Sequence, residues 1–318
     1  MVKRFFIFVL PLVLALASCY IDVPHDSRYD NLNPFGKASL SIYVKDKHGN
    51  PNQGALIILN DTLEFETDAE GEFYLGTVAK GVLRIRIHAD GYRTFEMETT
   101  ANTGEVLDII ATLNFIPVIE EFKAYSSVRK IKSFTDTLDY DVNYTGIIRE
   151  MDGIEDIDSC VMTMDSVRFK MEVFELDSFA ACSLNFPEDN GFFQIYDLQG
   201  KKCRMDVYDK SGEIIKSGEA NLVRFVESIP EITAPEEGGS FTLPDSVKWT
   251  FEEVLFESYF NLEIFNGEEQ AYESNNIPST KRSAYIGELL NEGSYRLYLR
   301  AYDVYGNFSE NSVTFSIF

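Results

Sequence analysis

Histidine, cysteine and tryptophan are scarce in this chain. Its 318 residues hold three His, four Cys and one Trp. His25, His48 and His88 are scattered, so a Ser-His-Asp or Cys-His relay has few places to form. No His-Glu-x-x-His or nucleophile-elbow pattern occurs, which removes the metalloprotease and α/β-hydrolase signatures. No Cys-x-x-Cys spacing occurs either, so a structural zinc site is not suggested. Positive charge is also short. Lys and Arg number 28 against 52 Asp and Glu, a formal net charge of −24. Such an excess repels nucleic acid and anionic headgroups. The sequence therefore offers no catalytic residue and no cofactor, and is expected to be non-enzymatic.

What is present begins at the N-terminus. Lys3 and Arg4 precede an almost wholly apolar run, Phe5 to Ala17. That run falls short of the ~20 residues a spanning helix needs, and Pro11 weakens helix further. It ends in Leu16-Ala17-Ser18-Cys19, which resembles the lipobox of bacterial lipoproteins. The resemblance implies a signal peptide over 1–18, cleavage before Cys19, and membrane lipid attached through its thiol. Each buried methylene contributes roughly 0.8 kcal/mol, so several acyl chains anchor stably. The expected location is the cell envelope. Tyr20 rather than aspartate follows Cys19, which in that family favours the outer membrane. Residues 19–36 carry Pro24, Asn31, Asn33 and Pro34 without apolar periodicity and read as a tether. Cys160, Cys182 and Cys203 remain, enough for one internal bridge at most.

From Lys37 the texture is alternation. Ser39 to Val44, Ala55 to Leu59, Leu63 to Thr67, Glu72 to Leu75 and Val82 to Ile87 have strand character, separated by turns rich in Gly, Asp, Asn and Pro. Within it, Val44-x-Asp46-x-x-Gly49-x-Pro51-x-x-Gly54-Ala55, then Thr67-Asp68-x-x-Gly71-x-Phe73, then Gly91-Tyr92 resemble the carboxypeptidase regulatory-like domain. The resemblance covers about 37–115 and implies a small transthyretin-like β-sandwich that carries no catalytic residue of its own.

Two further units are expected, over 116–227 and 228–318. Ile229-Pro230 echoes Ile116-Pro117, and Tyr208-Asp209-Lys210-Ser211-Gly212 echoes Tyr302-Asp303-Val304-Tyr305-Gly306, so the same sandwich is used twice. In the third unit Trp249 sits on an alternating strand and anchors the core. Leu289, Gly293 and Tyr295 resemble the tyrosine corner of fibronectin type III and immunoglobulin-like domains. The fold class is all-β: three β-sandwich domains in series after a lipoprotein signal peptide.

Candidate sites are few. Glu150, Asp152, Glu155, Asp156 and Asp158 form the densest acidic cluster. The last four are weak calcium candidates, since calcium takes six to eight oxygens and the spacing is not that of an EF-hand; no metal is assigned. Asp303 and Asn307 flank Gly306 in a manner that a hairpin turn alone explains. Adjacent strand residues face opposite ways, so one of Phe192 and Phe193 points away from its core, which makes the pair a possible ligand contact. The chain is expected to act in binding, adhesion or scaffolding, with a protein or a glycan of the envelope as partner. One alternative is an accessory lipoprotein capturing glycans for an uptake or degradation system. A second is a hydrolase using an unrecognised carboxylate pair. A row of aromatic rings on a shallow surface would favour glycan capture.

Overall fold

The computed structural model describes residues 36–131, 136–177, 179–187, 191, 194–242, 245–287 and 290–318. The signal, the lipobox with Cys19 and the tether lie outside these residues, as do Phe192, Phe193 and Leu289. The chain divides into two compact units at Ile116/Pro117.

The first unit is a sandwich of β1 (Lys37–Lys45), β2 (Leu56–Leu59), β3 (Leu63–Glu66), β4 (Glu72–Ala79), β5 (Gly81–His88), β6 (Phe95–Ala101) and β7 (Val106–Thr112). One sheet runs β4-β1-β7, the other β3-β2-β5-β6. Period-two alternation is the cause: Leu40, Ile42 and Val44 of β1 and Leu83, Ile85 and Ile87 of β5 all point into one core.

The second unit holds two cores. The strands of the first are β8 (Val118–Ile131), β9 (Thr137–Arg149), β10 (Ile157–Met164), β11 (Val167–Leu176), β12 (Phe179–Pro187), β13 (Lys202–Asp209) and β14 (Ile214–Asn221). The strands of the second are β15 (Glu231–Ala234), β16 (Gly239–Ser240), β17 (Asp245–Thr250), β18 (Ser258–Asn266), β19 (Glu269–Pro278), β20 (Ser283–Gly287), β21 (Gly293–Asp303) and β22 (Phe308–Ile317). Each module packs two layers of strands around its own core. In the later one β15-β17-β20 faces β19-β18-β21-β22. In the earlier one β8-β9-β12 faces β10-β13-β14, with β11 shared. Residues Val167 to Met171 of β11 pair with β10, and Glu172 to Leu176 pair with β12. The apolar-rich run from Val161 to Glu175 is thus two strands, broken where Asp165 takes a positive φ of 54°. Just after Phe192 and Phe193, which the sequence places on a strand, residues Ile195–Leu198 form a 3-10 turn.

Trp249 is buried and meets Phe260 edge-on at 5.4 Å. The Tyr295 hydroxyl donates to the Asn291 carbonyl at 2.9 Å, the corner expected of this sandwich class. Cys160, Cys182 and Cys203 are free and buried. The Cys182 thiol lies 3.0 Å from Met205 Sδ, and burial pushes the Cys203 thiol up to about 12; both behave as core residues.

The two modules are joined by strand pairing. The end of β8 lies parallel to the start of β22, Ser127 opposite Phe308 and Arg129 opposite Glu310. One sheet therefore continues from the earlier module into the later. Buried small polar groups hold the seam. Ser126 N–H donates to Asn307 Oδ1 at 2.9 Å, Ser309 Oγ donates to the Ser228 carbonyl at 2.6 Å, and Asn311 Nδ2 donates to the Pro230 carbonyl at 3.0 Å. A buried backbone N–H left without an acceptor costs about 1–3 kcal/mol, so the Ser126–Asn307 bond fixes the seam's register, while the other two tie β22 to the segment that leads into β15.

Candidate functional site

The continuous sheet presents one outer face to solvent. Core residues alternate with outward residues on its strands, so the outward set is fixed by parity. On β18 it is Tyr259, Asn261, Glu263 and Phe265; on β21 it is Arg296, Tyr298, Arg300 and Tyr302; on β22 it is Phe308, Glu310, Ser312, Thr314 and Ser316. None of these is aliphatic.

Register lines the aromatic members into a row. Tyr259 lies opposite Tyr302, and Tyr302 opposite Phe308. Tyr125, on β8 of the earlier module, extends it across the seam. Ring centroids are 5.5 Å apart for Tyr259 and Tyr302, 5.1 Å for Tyr302 and Phe308, and 6.4 Å for Tyr125 and Phe308. The strand spacing of about 4.7–4.9 Å sets these steps. The first pair is nearly parallel, with planes 10° apart. Each ring is half-buried, and each contact contributes about 0.5–1.5 kcal/mol beyond burial, so the row is held in place. Burial, opposed by Arg300, pushes the Tyr302 phenol above its ordinary value, which keeps it neutral. Tyr305 and Phe174, both exposed, flank the row in a groove of about 650 Å³.

Beside the row lies a charged rung. Arg300 Nε donates to Glu310 at 2.5 Å and Nη1 to Glu263 at 2.9 Å. Burial works against the guanidinium charge, but Glu310 and Glu263 outweigh it and hold Arg300 above its ordinary value. The guanidinium also sits 5.6 Å from the Tyr298 ring and 5.7 Å from that of Phe308. A second, larger groove of about 1080 Å³ opens here, lined by Phe265, Arg296, Tyr298, Arg300 and Glu310. Phe265 meets Tyr298 edge-on at 5.8 Å.

The sites expected from sequence fall elsewhere. Carboxylate oxygens of Glu150, Asp152 and Asp156 lie within 4.8 Å of one another, between β9 and β10. Glu155 and Asp158 are exposed and outside that group, Asp158 accepting from Ser159 Oγ at 3.2 Å. Three carboxylates offer at most six oxygens, the low end of the six to eight that calcium takes. Asp303 and Asn307 bind each other and the seam. His88 Nδ1 is 2.8 Å from Thr94 Oγ1, and His48 sits in the turn after β1. Sequence reasoning missed Tyr125, Tyr259, Tyr302 and Phe308. A signal existed: Tyr298 and Tyr302 alternate with the core residues Leu297, Leu299 and Ala301, where an ordinary solvent face carries Lys, Glu or Thr.

Comparison with known proteins bears on the first unit. Residues 39–114 match the carboxypeptidase regulatory-like domain. This regulatory-like domain is about a quarter of the chain, and its matched span runs from β1 past β7. No curated protein matches the chain. Among solved structures, the fibronectin(III)-like modules of Clostridium thermocellum CbhA are 11% identical with a TM-score of 0.28, covering 64% of this chain and 94% of that one. The Ig1-2 module of the Drosophila receptor protein tyrosine phosphatase DLAR is 12% identical with a TM-score of 0.32, covering 64% and 98%. SGBP-B of the Bacteroides ovatus mixed-linkage glucan utilization locus, solved with a mixed-linkage heptasaccharide, is 12% identical with a TM-score of 0.20, covering 83% and 61%. At such identities and TM-scores, none of the three bears on function.

Proposed function

We propose that this chain is a non-catalytic, lipid-anchored protein of the bacterial cell envelope that captures a glycan on the outer face of β18, β21 and β22. The observation that carries the reading is the row Tyr259, Tyr302, Phe308 and Tyr125, half-exposed on an open sheet. The face of an aromatic ring is negative and packs against the C–H groups of a pyranose. Fixed polar groups alongside, here Arg300, Glu263, Glu310 and Asn261, orient hydroxyls. A protein interface core also uses aromatics and Arg and adds aliphatic side chains; the outward positions of these three strands carry none, and the exposed aliphatics of the groove, Leu176 and Val304, lie off those strands.

The same geometry supports the non-catalytic reading of this face. Glu263 and Glu310, the acidic pair on this face, both grip one guanidinium. A glycosidase instead needs one carboxyl kept protonated beside an ionised one. Anchoring is supported by the basic start, apolar run and Leu16-Ala17-Ser18-Cys19.

Electrophoresis of the mature chain through gels containing a panel of polysaccharides tests the binding claim. Retardation by at least one, abolished in Tyr302→Ala, is expected; free migration through all of them would contradict it. Cys19→Ala should leave the membrane fraction, and its retention there would overturn the anchoring.

A further inference from the structure

Most of the charges on the ringed face are paired with one another. Arg300 is gripped by Glu263 and Glu310, and all three side chains are at least three-quarters buried. Arg129 pairs with Asp141 at 3.1 Å and Lys123 with Glu121 at 3.1 Å. Arg296 faces the Tyr298 hydroxyl at 3.5 Å, with the Glu237 carboxylate acting on it. The face therefore carries no net positive charge, on a chain whose formal charge is −24. It has nothing with which to draw a polyanion against that field. Hydrogen-bonding capacity is not spent. A guanidinium has five N–H donors and a carboxylate about four acceptor sites, more than the bonds of Arg300 to Glu310 and Glu263 use. A group fixed in this way offers directed donors and acceptors without a free charge, which suits a hydroxyl.

The row also has a direction. It runs across the strands, β18 to β21 to β22 to β8, in steps of 5.1 to 6.4 Å. Such a step is comparable to one pyranose in an extended chain. Its last ring, Tyr125, comes from the earlier module, and the seam bond from Ser126 N–H to Asn307 Oδ1 places it.

Resting on the glycan reading above, we infer that the ligand is an uncharged, linear polysaccharide that lies across the seam between the two modules, stacked on the four rings and hydrogen-bonded by the Glu263–Arg300–Glu310 group. The full mature chain is run in gels containing neutral polysaccharides (a β-glucan, a xylan, a galactomannan) and polyanionic ones (polygalacturonate, a sulfated galactan), at low salt and at 0.5 M salt. Retardation by a neutral polymer, unchanged by salt, is expected, because an uncharged ligand offers the face no charge whose attraction salt could screen. Tyr125→Ala should weaken that binding roughly tenfold, equivalent to about 1.4 kcal/mol. Glu310→Gln should weaken it and, by releasing positive charge, admit a polyanion at low salt only. Tight, salt-sensitive binding of a polyanion by the unaltered chain would overturn the ligand class while leaving glycan capture standing. Full affinity in Tyr125→Ala would overturn the crossing of the seam. Absence of binding to any polymer would remove the glycan reading itself.

Discussion

Two hairpins in this chain share a sequence and a geometry but differ in what surrounds them. Asp46-Lys47-His48-Gly49-Asn50 follows β1, and Asp303-Val304-Tyr305-Gly306-Asn307 joins β21 to β22. In each, aspartate Oδ1 accepts the asparagine amide, at 2.8 and 3.0 Å, and Oδ2 accepts the asparagine Nδ2, at 2.8 and 2.9 Å. In each the glycine has a positive φ, 88° and 87°. Asp68 and Asp209 organise two more turns in the same way, with Gly71 and Gly212 at the matching position. Local sequence thus dictates the turn wherever it occurs. The difference is burial. Asn50 is exposed, whereas Asn307 has no exposure and its free carboxamide oxygen takes Ser126 N–H from the other module. A turn device becomes a seam when a second chain segment packs on it.

The comparison breaks most sharply under charge. Asn307→Asp sets a second carboxylate beside Asp303, itself 1% exposed, and should cost about 3–5 kcal/mol, as an uncompensated buried charge does. Asn50→Asp, in water, should cost about 1 kcal/mol or less. Trp249, the single Trp, reports unfolding of the second unit by fluorescence; amide exchange across β1 to β7 reports the first. Equal losses would erase the distinction. Next in size, Gly49→Ala and Gly306→Ala should each cost about 1–2 kcal/mol, from forcing a side chain into left-handed backbone. An added Cβ meets no atom within 4 Å at either site, so the two costs should match. A much larger loss at Gly306 would mean that the seam also constrains the turn.

The smallest effect is on pH. Burial alone would raise the Asp46 carboxyl, but hydrogen bonds from the Asn50 side chain and amide and the His48 amide outweigh it and hold the group below its ordinary value. Its folded value lies under its unfolded one. The stabilisation is therefore full above the unfolded carboxylate range, ~3.9, and lost as pH falls through the folded value. Asn50→Ala should slightly flatten the acid limb of the first unit's stability, read by amide exchange. An unchanged limb would show that the backbone amides of residues 48 and 50 hold the carboxyl without the Asn50 side chain.

Much of the fold is legible in the residues because alternation fixes which side chains go inward. Leu40, Ile42 and Val44 declare β1, and Leu297, Leu299 and Ala301 declare β21. Tyr295 declares the sandwich type, because its hydroxyl needs a nearby carbonyl. The shared strand β11 was not legible: a strand that changes sheets has the same local pattern as one that stays. Nor was the parallel pairing of β8 with β22, since an edge strand carries no local mark of a partner 181 residues away. The ringed face fell between these cases. Tyr259, Tyr302 and Phe308 were each visible as outward aromatics, but their alignment depends on register, and the place of Tyr125 depends on the seam. The aromatic pair chosen from sequence, Phe192 and Phe193, lies outside the described residues, and the acidic loop gathered Asp152 and Asp156 with Glu150 while leaving Glu155 and Asp158 apart.

The central claim is that the row of rings is a binding surface. Its most direct test is the affinity of the full mature chain for a retarding polysaccharide, measured by calorimetry in Tyr302→Ala and in Tyr285→Ala. Tyr285 is 66% exposed on β20, in the opposite sheet of the same module. Loss of roughly tenfold or more in affinity at Tyr302, with none at Tyr285 and with Trp249 fluorescence unchanged in both, is the expected result. Equal affinity in the two variants would contradict the account.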